Sequence, residues 1–175
     1  MLRSIFVYGA ISGTIVILGI ILSLVLPGIP HSQIVGYLIM MIALSVIFIA
    51  VKRYRDVQLG GVIKFLPAFG MGIGIAAVAA LAYVVVWEIY LAATDYAFMD
   101  QYIAAAIEAR QAAGMTGEDL QAYIADMNQM REQYADPLFR LPITFLEIFP
   151  VGLIIALISA ALLRNPRVLP YRPTV

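Results

Sequence analysis

Four long runs of apolar residues constrain the fold of this chain more than any other feature of its sequence. At a helical rise of about 1.5 Å per residue, each run is long enough to cross the hydrocarbon core of a bilayer. The apolar residues occur all round each predicted helix rather than along one stripe, as contact with lipid requires. The predicted spans cover residues 4–26, 32–51, 65–92 and 141–163. The sequence therefore predicts an all-α, polytopic membrane protein with four transmembrane helices, folded as a single domain over residues 1–175.

The composition supports this class and excludes several kinds of site. Of the 175 residues, 63% are hydrophobic, whereas soluble domains of this size are roughly half apolar. The absence of cysteine excludes disulfides, thiolate metal sites and cysteine nucleophiles. The single histidine, His31, leaves the usual transition-metal ligand set incomplete. We expect no metal and no cofactor.

The charges are segregated along the chain, and this segregation predicts the orientation. Eight basic residues and one acid, Asp56, lie in the N-terminus, the loop after the second span and the C-terminal tail. The segment between the third and fourth spans has three basic residues and eight acids. The positive-inside rule then places both termini in the cytoplasm. The eight basic residues are Arg3, Lys52, Arg53, Arg55, Lys64, Arg164, Arg167 and Arg172.

The first run has an alternative interpretation as a signal peptide, because Arg3 precedes it. Its apolar stretch is about twice the usual ~7–15 residues of such peptides, and no Ala-x-Ala site follows. We therefore expect an uncleaved anchor. Cleavage would leave three spans.

Between the third and fourth spans lie residues too polar to cross a membrane, and their pattern predicts an extracytoplasmic helical hairpin at about 96–136. Thr116 followed by Glu118 and Asp119 is typical of a helix start, and Asp136-Pro137 of a helix end. The hairpin is interpreted as a cap over a cavity, a docking surface for a partner, or two helices whose apolar stripes simply bury each other.

Two glutamates lie inside the predicted spans, toward the outer leaflet. A charged carboxylate in hydrocarbon is unfavourable by about 2.5–3.5 kcal/mol, so carboxylates such as Glu88 and Glu147 usually face a bundle interior and have a partner. On a helical wheel, Glu88 falls near Gly70, Ala77 and Leu81, the side where a neighbouring helix could approach closely.

Pro150 is expected to kink the fourth helix beside Glu147, because it removes the backbone bond to the carbonyl of Leu146. A protonated Glu147 could donate to a freed carbonyl. A charged Glu147 could pair with Arg140 or accept from an aromatic donor such as Trp87. The candidate functional residues in the membrane are Glu88, Glu147, Pro150, Trp87, Tyr90 and Arg140.

Three interpretations of the glutamates remain open. They bind a cation or proton in a transport cycle, they fix helix packing through hydrogen bonds, or they lie in the outer interface within an aromatic belt. That belt would contain Tyr83, Trp87, Tyr90, Tyr96 and Phe145.

Two further patterns are weak by themselves. Gly9-xxx-Gly13 and Gly70-xxx-Gly74 have the spacing of close helix packing, which is also frequent by chance. The basic cluster Lys52-Arg53-Tyr54-Arg55 either binds anionic lipid headgroups or only sets the topology.

Three motifs resemble a known family. They are Trp87-Glu88-Ile89-Tyr90, Tyr54-Arg55-Asp56 with Gly60-Gly61, and Pro137-Leu138-Phe139-Arg140-Leu141-Pro142 followed by Phe145-Leu146-Glu147-Ile148-Phe149-Pro150-Val151-Gly152-Leu153. They are similar to a family of bacterial membrane proteins catalogued as domain of unknown function 4199. The resemblance covers nearly the whole chain and implies a four-helix protein of the bacterial inner membrane. It implies no activity, so no functional residue is carried over.

The predicted function is that of a non-enzymatic structural or partner-binding membrane protein. No nucleophile–base pair, metal cluster or glycine-rich phosphate loop is apparent. The expected partners are membrane lipid and either a second copy of the chain or another membrane protein, with no nucleic acid. The alternative is a small transporter, coupled to protons or cations, that uses Glu88 and Glu147. A membrane enzyme would need those two glutamates as its acid–base pair.

Overall fold

The structure is a computed structural model that describes residues 1–25 and 33–171, and in these ranges all regular structure is helical. The all-α prediction is confirmed. His31 and Arg172 lie outside the described residues. The helices are α1 (Leu2–Val25), α2 (Gln33–Leu44), α3 (Val46–Leu59), α4 (Phe65–Ala93), α5 (Ala97–Ala112), α6 (Gly117–Ala135) and α7 (Pro137–Leu163).

Four helical segments of the described ranges are long and apolar enough to cross a membrane: Leu2–Leu22, Ile34–Leu59, Phe65–Ala93 and Pro137–Leu163. The number of apolar helices and their approximate positions, which the sequence predicts for a membrane-embedded chain, are confirmed. The second of these segments contains α2 and α3, which meet at a turn at Ser45. The Ser45 hydroxyl donates to the carbonyl oxygen of Ile42 (2.6 Å), a local bond that competes with regular helix geometry.

Two helices extend beyond the predicted spans. The second helical segment continues to Leu59 rather than ending near residue 51, and Lys52 and Asp56 form an i,i+4 ion pair in this extension (2.6 Å). α7 begins at Pro137 rather than near residue 141, because Asp136 acts as its N-cap and accepts a bond from the backbone N–H of Leu138 (2.9 Å).

The chain divides into two compact units: Met1–Val85 with Phe145–Val175, and Val86–Thr144. The first unit contains α1 to α3, most of α4 and most of α7. The second contains the end of α4, the helices α5 and α6, and the start of α7. The single-domain organisation over the whole chain stays a prediction.

Small side chains form much of the core of the first unit. Lipid tails are as apolar as a protein core, so membrane helices associate largely through the close packing that small residues allow. A Cβ built at Gly72 would lie 2.6 Å from that of Ala156, and one at Gly152 would lie 2.6 Å from that of Ala76. α4 and α7 are therefore antiparallel and in close contact. The buried alanines are Ala43, Ala50, Ala68, Ala76, Ala79, Ala80, Ala156 and Ala160.

In the second unit α5 and α6 form an antiparallel helical hairpin. The Arg110 guanidinium lies 5.3 Å from the centre of the Tyr123 ring, and Arg131 reaches Asp100 at 3.4 Å near the other end. The predicted helix start is confirmed, since Thr116 is the extended N-cap residue of α6, although its hydroxyl makes no capping bond. α5 buries Met99 and Ile103, whereas α6 buries no residue fully.

Candidate functional site

The end of α4 and the start of α7 are joined by an ion pair between Glu88 and Arg140. Nε of Arg140 donates to Oε1 of Glu88 at 2.7 Å, and Nη2 donates to Oε2 at 2.8 Å. This two-pronged geometry is the strong form of a charge-assisted hydrogen bond. The Arg140 side chain is 3% exposed and that of Glu88 25% exposed, so the arginine is the more completely buried partner.

The remaining contacts of Arg140 fix its position. Nη1 donates to the backbone carbonyl oxygens of Tyr134 (2.9 Å) and Ala135 (3.2 Å), which lie in the last turn of α6. The guanidinium carbon also lies 5.2 Å from the centre of the Tyr96 ring and 5.8 Å from that of Tyr134, within the range of cation–π attraction. One arginine thereby connects α4, α6 and α7 within the second unit.

Aromatic side chains surround this ion pair. The indole N–H of Trp87 donates to the Tyr134 hydroxyl at 2.8 Å. The Trp87 ring meets Phe98 edge-on at 4.8 Å between ring centres and stacks on Tyr90 at 5.3 Å. Four of the predicted candidates, Trp87, Glu88, Tyr90 and Arg140, thus come together at one place. The sequence did not identify Tyr134 or Phe98 as members of this cluster.

The sequence prediction for the surroundings of Glu88 is wrong in one respect. A Cβ built at Gly70 would meet no atom within 4 Å, and Leu81 is exposed, so the side of α4 that carries them is not a close helix contact. The close contacts are made by other residues of α4, such as Gly72 and Ala76. The charge of Glu88 is stabilised by its ion pair with Arg140 and not by a close helix contact. Arg140, considered above as a partner for Glu147, bonds to Glu88.

Glu147 belongs to the first unit and has a different environment. Its side chain is exposed, and it has no hydrogen bond or ion pair with the residues that the structure describes. The exposed side chains on the same face of α7 are apolar: Ile143, Leu146, Ile154 and Ile158. An interior position of Glu147, which the sequence left open, is not found in this unit: Ala156 and Ala160 of α7 are buried, whereas Glu147 is exposed. It projects from the outer surface of the bundle.

The depth of Glu147 follows from the contacts between α4 and α7. Gly152 is level with Ala76, and the two helices run in opposite directions. The residue five positions before Gly152 is therefore level with the residue five positions after Ala76. This places Glu147 opposite Leu81. Leu81 is two residues from the middle of α4 (Phe65–Ala93). Glu147 is therefore level with a residue near the middle of the apolar helix α4, and its position in the outer leaflet stays a prediction.

Pro150 lies on the same exposed face, one turn after Glu147. α7 continues through it without a break from Pro137 to Leu163. Because proline has no N–H, the carbonyl of Leu146 beside Glu147 lacks its usual helical donor. A kink at Pro150 stays a prediction.

Arg55 is a buried charge whose role the sequence did not reveal. It is fully buried, and its guanidinium donates to Asp56 (2.7 Å) and to the carbonyl oxygens of Leu163 (3.5 Å), Val168 (3.0 Å) and Leu169 (2.6 Å). These carbonyls belong to the end of α7 and the segment that follows it. Arg55 therefore holds the C-terminal segment against α3.

Gly60 and Gly61 end α3, and Gly61 lies next to the same C-terminal segment. Gly60 ends α3 in the left-handed conformation (φ 65°), and the N–H of Gly61 donates to the carbonyl oxygen of Arg55 at 2.9 Å. A Cβ built at Gly61 would lie 2.9 Å from that of Tyr171, so a larger residue would displace the tail. In the part of the chain that the structure describes, no group of three or more His, Cys, Asp or Glu side chains could hold a metal ion.

The chain belongs to a family described as "Protein of unknown function (DUF4199)", whose match covers residues 7–165. The resemblance identified from the sequence motifs is confirmed. No curated protein and no solved structure matches the chain.

Proposed function

We propose that this chain is a non-enzymatic, partner-binding protein of the bacterial inner membrane, and that its partner is a second copy bound through the Glu147 face of α7. The single observation that carries the proposal is the position of Glu147. It is an exposed carboxylate near the middle of an apolar span, surrounded by exposed apolar side chains.

The energetic reason is the poor solvation of a carboxyl group in lipid. A charged carboxylate at this depth is unfavourable by about 2.5–3.5 kcal/mol, and a polar side chain on a facing helix can offset part of that. A two-fold axis along the membrane normal brings the same residue of two copies to the same depth. A protonated Glu147 of one copy can then donate a hydrogen bond to the Glu147 carboxylate of the other.

The charge distribution of the sequence supports an orientation with both termini in the cytoplasm and the α5–α6 hairpin outside. The N-terminus, the α3–α4 region and the C-terminal tail have an excess of basic residues, whereas the hairpin has an excess of acids. This orientation permits a parallel dimer, since both copies insert in the same direction.

The Glu88–Arg140 ion pair supports a structural role for that region rather than a transport cycle. A carboxylate that takes part in transport must exchange its partner for a proton or cation. Glu88 is bound by two nitrogens of Arg140, whose side chain is almost completely buried. We therefore assign Glu88 and Arg140 to helix packing and Glu147 to association.

Cysteine cross-linking in membranes tests the proposal directly, because the natural sequence contains no cysteine. Ile154→Cys places a thiol on the Glu147 face, and Leu18→Cys places one on α1. The two positions are similarly exposed, at 58% and 61%. We expect oxidation to give covalent dimers of the Ile154→Cys protein and none of the Leu18→Cys protein.

Substitution of Glu147 distinguishes specific dimers from cross-links that form when two chains collide by chance. In the Ile154→Cys background, Glu147→Leu should reduce the dimer yield, whereas Glu147→Gln should preserve it because an amide both donates and accepts hydrogen bonds. Equal dimer yields of the Ile154→Cys protein with glutamate and with leucine at position 147 would refute the proposal. So would covalent dimers of the Leu18→Cys protein when the Ile154→Cys protein forms none.

A further inference from the structure

A cavity of about 430 Å³ lies between the first two turns of α1 and the last turns of α3. Arg3 and Tyr8 line it from α1, and Arg53 and Tyr54 line it from α3. These residues belong to the first unit and are remote in sequence from Glu88 and Glu147. The site is thus built from helices that the proposed dimer contact on α7 does not use.

The cavity has a net positive lining. Neither Arg3 nor Arg53 forms an ion pair with any residue that the structure describes. The acid closest in sequence, Asp56, is bound by Lys52 at 2.6 Å and by Arg55 at 2.7 Å, so it is not available to neutralise them. Among the described residues, no acidic side chain lines the cavity. Two guanidinium groups without an ion-pair partner among the described residues therefore line the same open cavity.

The cavity also has neutral hydrogen-bonding groups and apolar walls. Ser4 and Gln58 line it together with the two tyrosines, and Val7 and Val57 form exposed parts of its wall. Val7 lies on α1 next to Phe6, whose side chain is also exposed. A ligand that fits this arrangement has an anionic, oxygen-rich head and an apolar tail.

We propose that this cavity binds the headgroup of an anionic phospholipid. Guanidinium groups suit phosphate oxygens because they present several N–H donors in one plane. The hydroxyl and amide side chains can bond to the glycerol oxygens of the lipid, and its acyl chains can lie along Val7 and Val57. The positive-inside rule places this end of the bundle in the cytoplasmic leaflet, where basic pockets between helices bind such lipids.

Native mass spectrometry of the full chain in mild detergent tests this site. The delipidated protein is titrated with dioleoylphosphatidylglycerol, with dioleoylphosphatidylcholine as the zwitterionic control. We expect the protein to bind dioleoylphosphatidylglycerol in preference to dioleoylphosphatidylcholine. An Arg3→Gln/Arg53→Gln variant should bind the phosphatidylglycerol about 30-fold more weakly, because each arginine contributes about 1 kcal/mol. The matched variant Arg164→Gln/Arg167→Gln loses the same charge from the exposed tail and should bind like the natural protein.

Several results would overturn the proposal. Equal binding of the two lipids, or equal losses in both double variants, would mean that no specific headgroup site exists at this cavity. Displacement of the lipid by inorganic phosphate at equal concentration would identify a site for soluble phosphate instead.

Two further measurements keep the test decisive. Circular dichroism and thermal unfolding of each variant establish that it is folded. If Arg3→Gln/Arg53→Gln unfolds, the single variant Arg53→Gln must still lose about fivefold in affinity. Loss of lipid binding would leave the cross-linking of the Ile154→Cys protein unchanged, so the two proposals fail independently.

Discussion

Arg55 and Arg140 are buried charged side chains in two different units of the chain, and both are stabilised by the same kinds of hydrogen bond. Each is almost completely buried, each bonds to one carboxylate, and each gives its remaining donors to backbone carbonyls, which lie in the last turn of α6 for Arg140 and at the end of α7 and in the segment after it for Arg55. Carbonyls at helix ends lack intrahelical partners, and arginine offers five donors in a fixed plane. Neither lysine nor a neutral side chain could make this set of bonds.

The Glu88–Arg140 pair should therefore contribute substantially to stability. We expect Glu88→Ala to lower the free energy of unfolding by an amount near the lower end of about 3–5 kcal/mol, because it leaves Arg140 buried without its acid. The exposed pair Asp100–Arg131 is the internal control, and Asp100→Ala should cost at most about 1 kcal/mol. Urea unfolding in mixed micelles measures both. Equal effects of the two substitutions would contradict this account of the ion pair.

The double variant Glu88→Ala/Arg140→Ala provides a second check. Removing both charges leaves no unpaired ion, so its destabilisation should be smaller than the sum of the two single effects. Additive losses would mean that the two residues stabilise the protein separately.

Arg55 should hold the C-terminal segment in place. We expect Arg55→Ala to destabilise the protein by about 3–5 kcal/mol and Arg55→Lys by a smaller but clear amount. The neighbouring, exposed Arg53 provides the control, since Arg53→Ala should change stability by no more than about 0.5 kcal/mol. Limited trypsin digestion reports on the segment itself, because cleavage after Arg164 and Arg167 should accelerate when Arg55 is replaced. Unchanged cleavage would show that these bonds do not restrain it.

At the level of helices, the two glycine motifs differ although their sequences look alike. A Cβ built at Gly9 would lie 2.6 Å from that of Val78, and one at Gly13 would lie 2.9 Å from that of Ala82, so α1 and α4 are in close contact there. Gly74 faces Ile5, whereas Gly70 faces open space. Only the first motif therefore places both of its glycines in a helix contact.

Alanine substitution should separate the two motifs. Gly9→Ala inserts a methyl group against Val78 and should destabilise the protein by about 1–3 kcal/mol. Gly70→Ala meets no neighbour and should stabilise it by about 0.5–1 kcal/mol, since alanine favours the helix more than glycine does. Thermal unfolding of the two variants in one detergent gives the comparison. The same sign of change for both would contradict the packing described here.

The sequence was sufficient to predict the helices but not the contacts between them. Span positions depend on runs of apolar residues, a local property, and the hairpin on nearby caps. The pairing of Glu88 with Arg140 joins residues 52 positions apart and depends on the register of two helices, which hydropathy does not determine. Arg55 looked like one more topology-setting charge, because its burial depends on a tail far along the chain. The sequence left open whether Glu147 faces the interior, because the cost of a carboxylate in lipid does not show whether its partner lies in the same copy.

At the scale of the whole molecule, the proposed orientation predicts which segments are accessible from each side of the membrane. Ala122→Cys lies in the α5–α6 hairpin and Val62→Cys in the loop between α3 and α4, and both positions are exposed. A membrane-impermeant maleimide added to intact cells should label the Ala122→Cys protein and not the Val62→Cys protein, and inverted vesicles should give the opposite pattern. Labelling of the Ala122→Cys protein only in inverted vesicles would reverse the orientation and remove the proposed placement of the lipid site in the cytoplasmic leaflet.

Association through Glu147 is tested most directly by counting subunits in a bilayer. The protein carrying one fluorophore per chain is reconstituted at low density, and photobleaching steps are counted for each spot. We expect mostly two-step spots for the natural sequence and for Glu147→Gln, and mostly one-step spots for Glu147→Leu. One-step spots for the natural sequence at every density, or the same step distribution for all three proteins, would contradict the account.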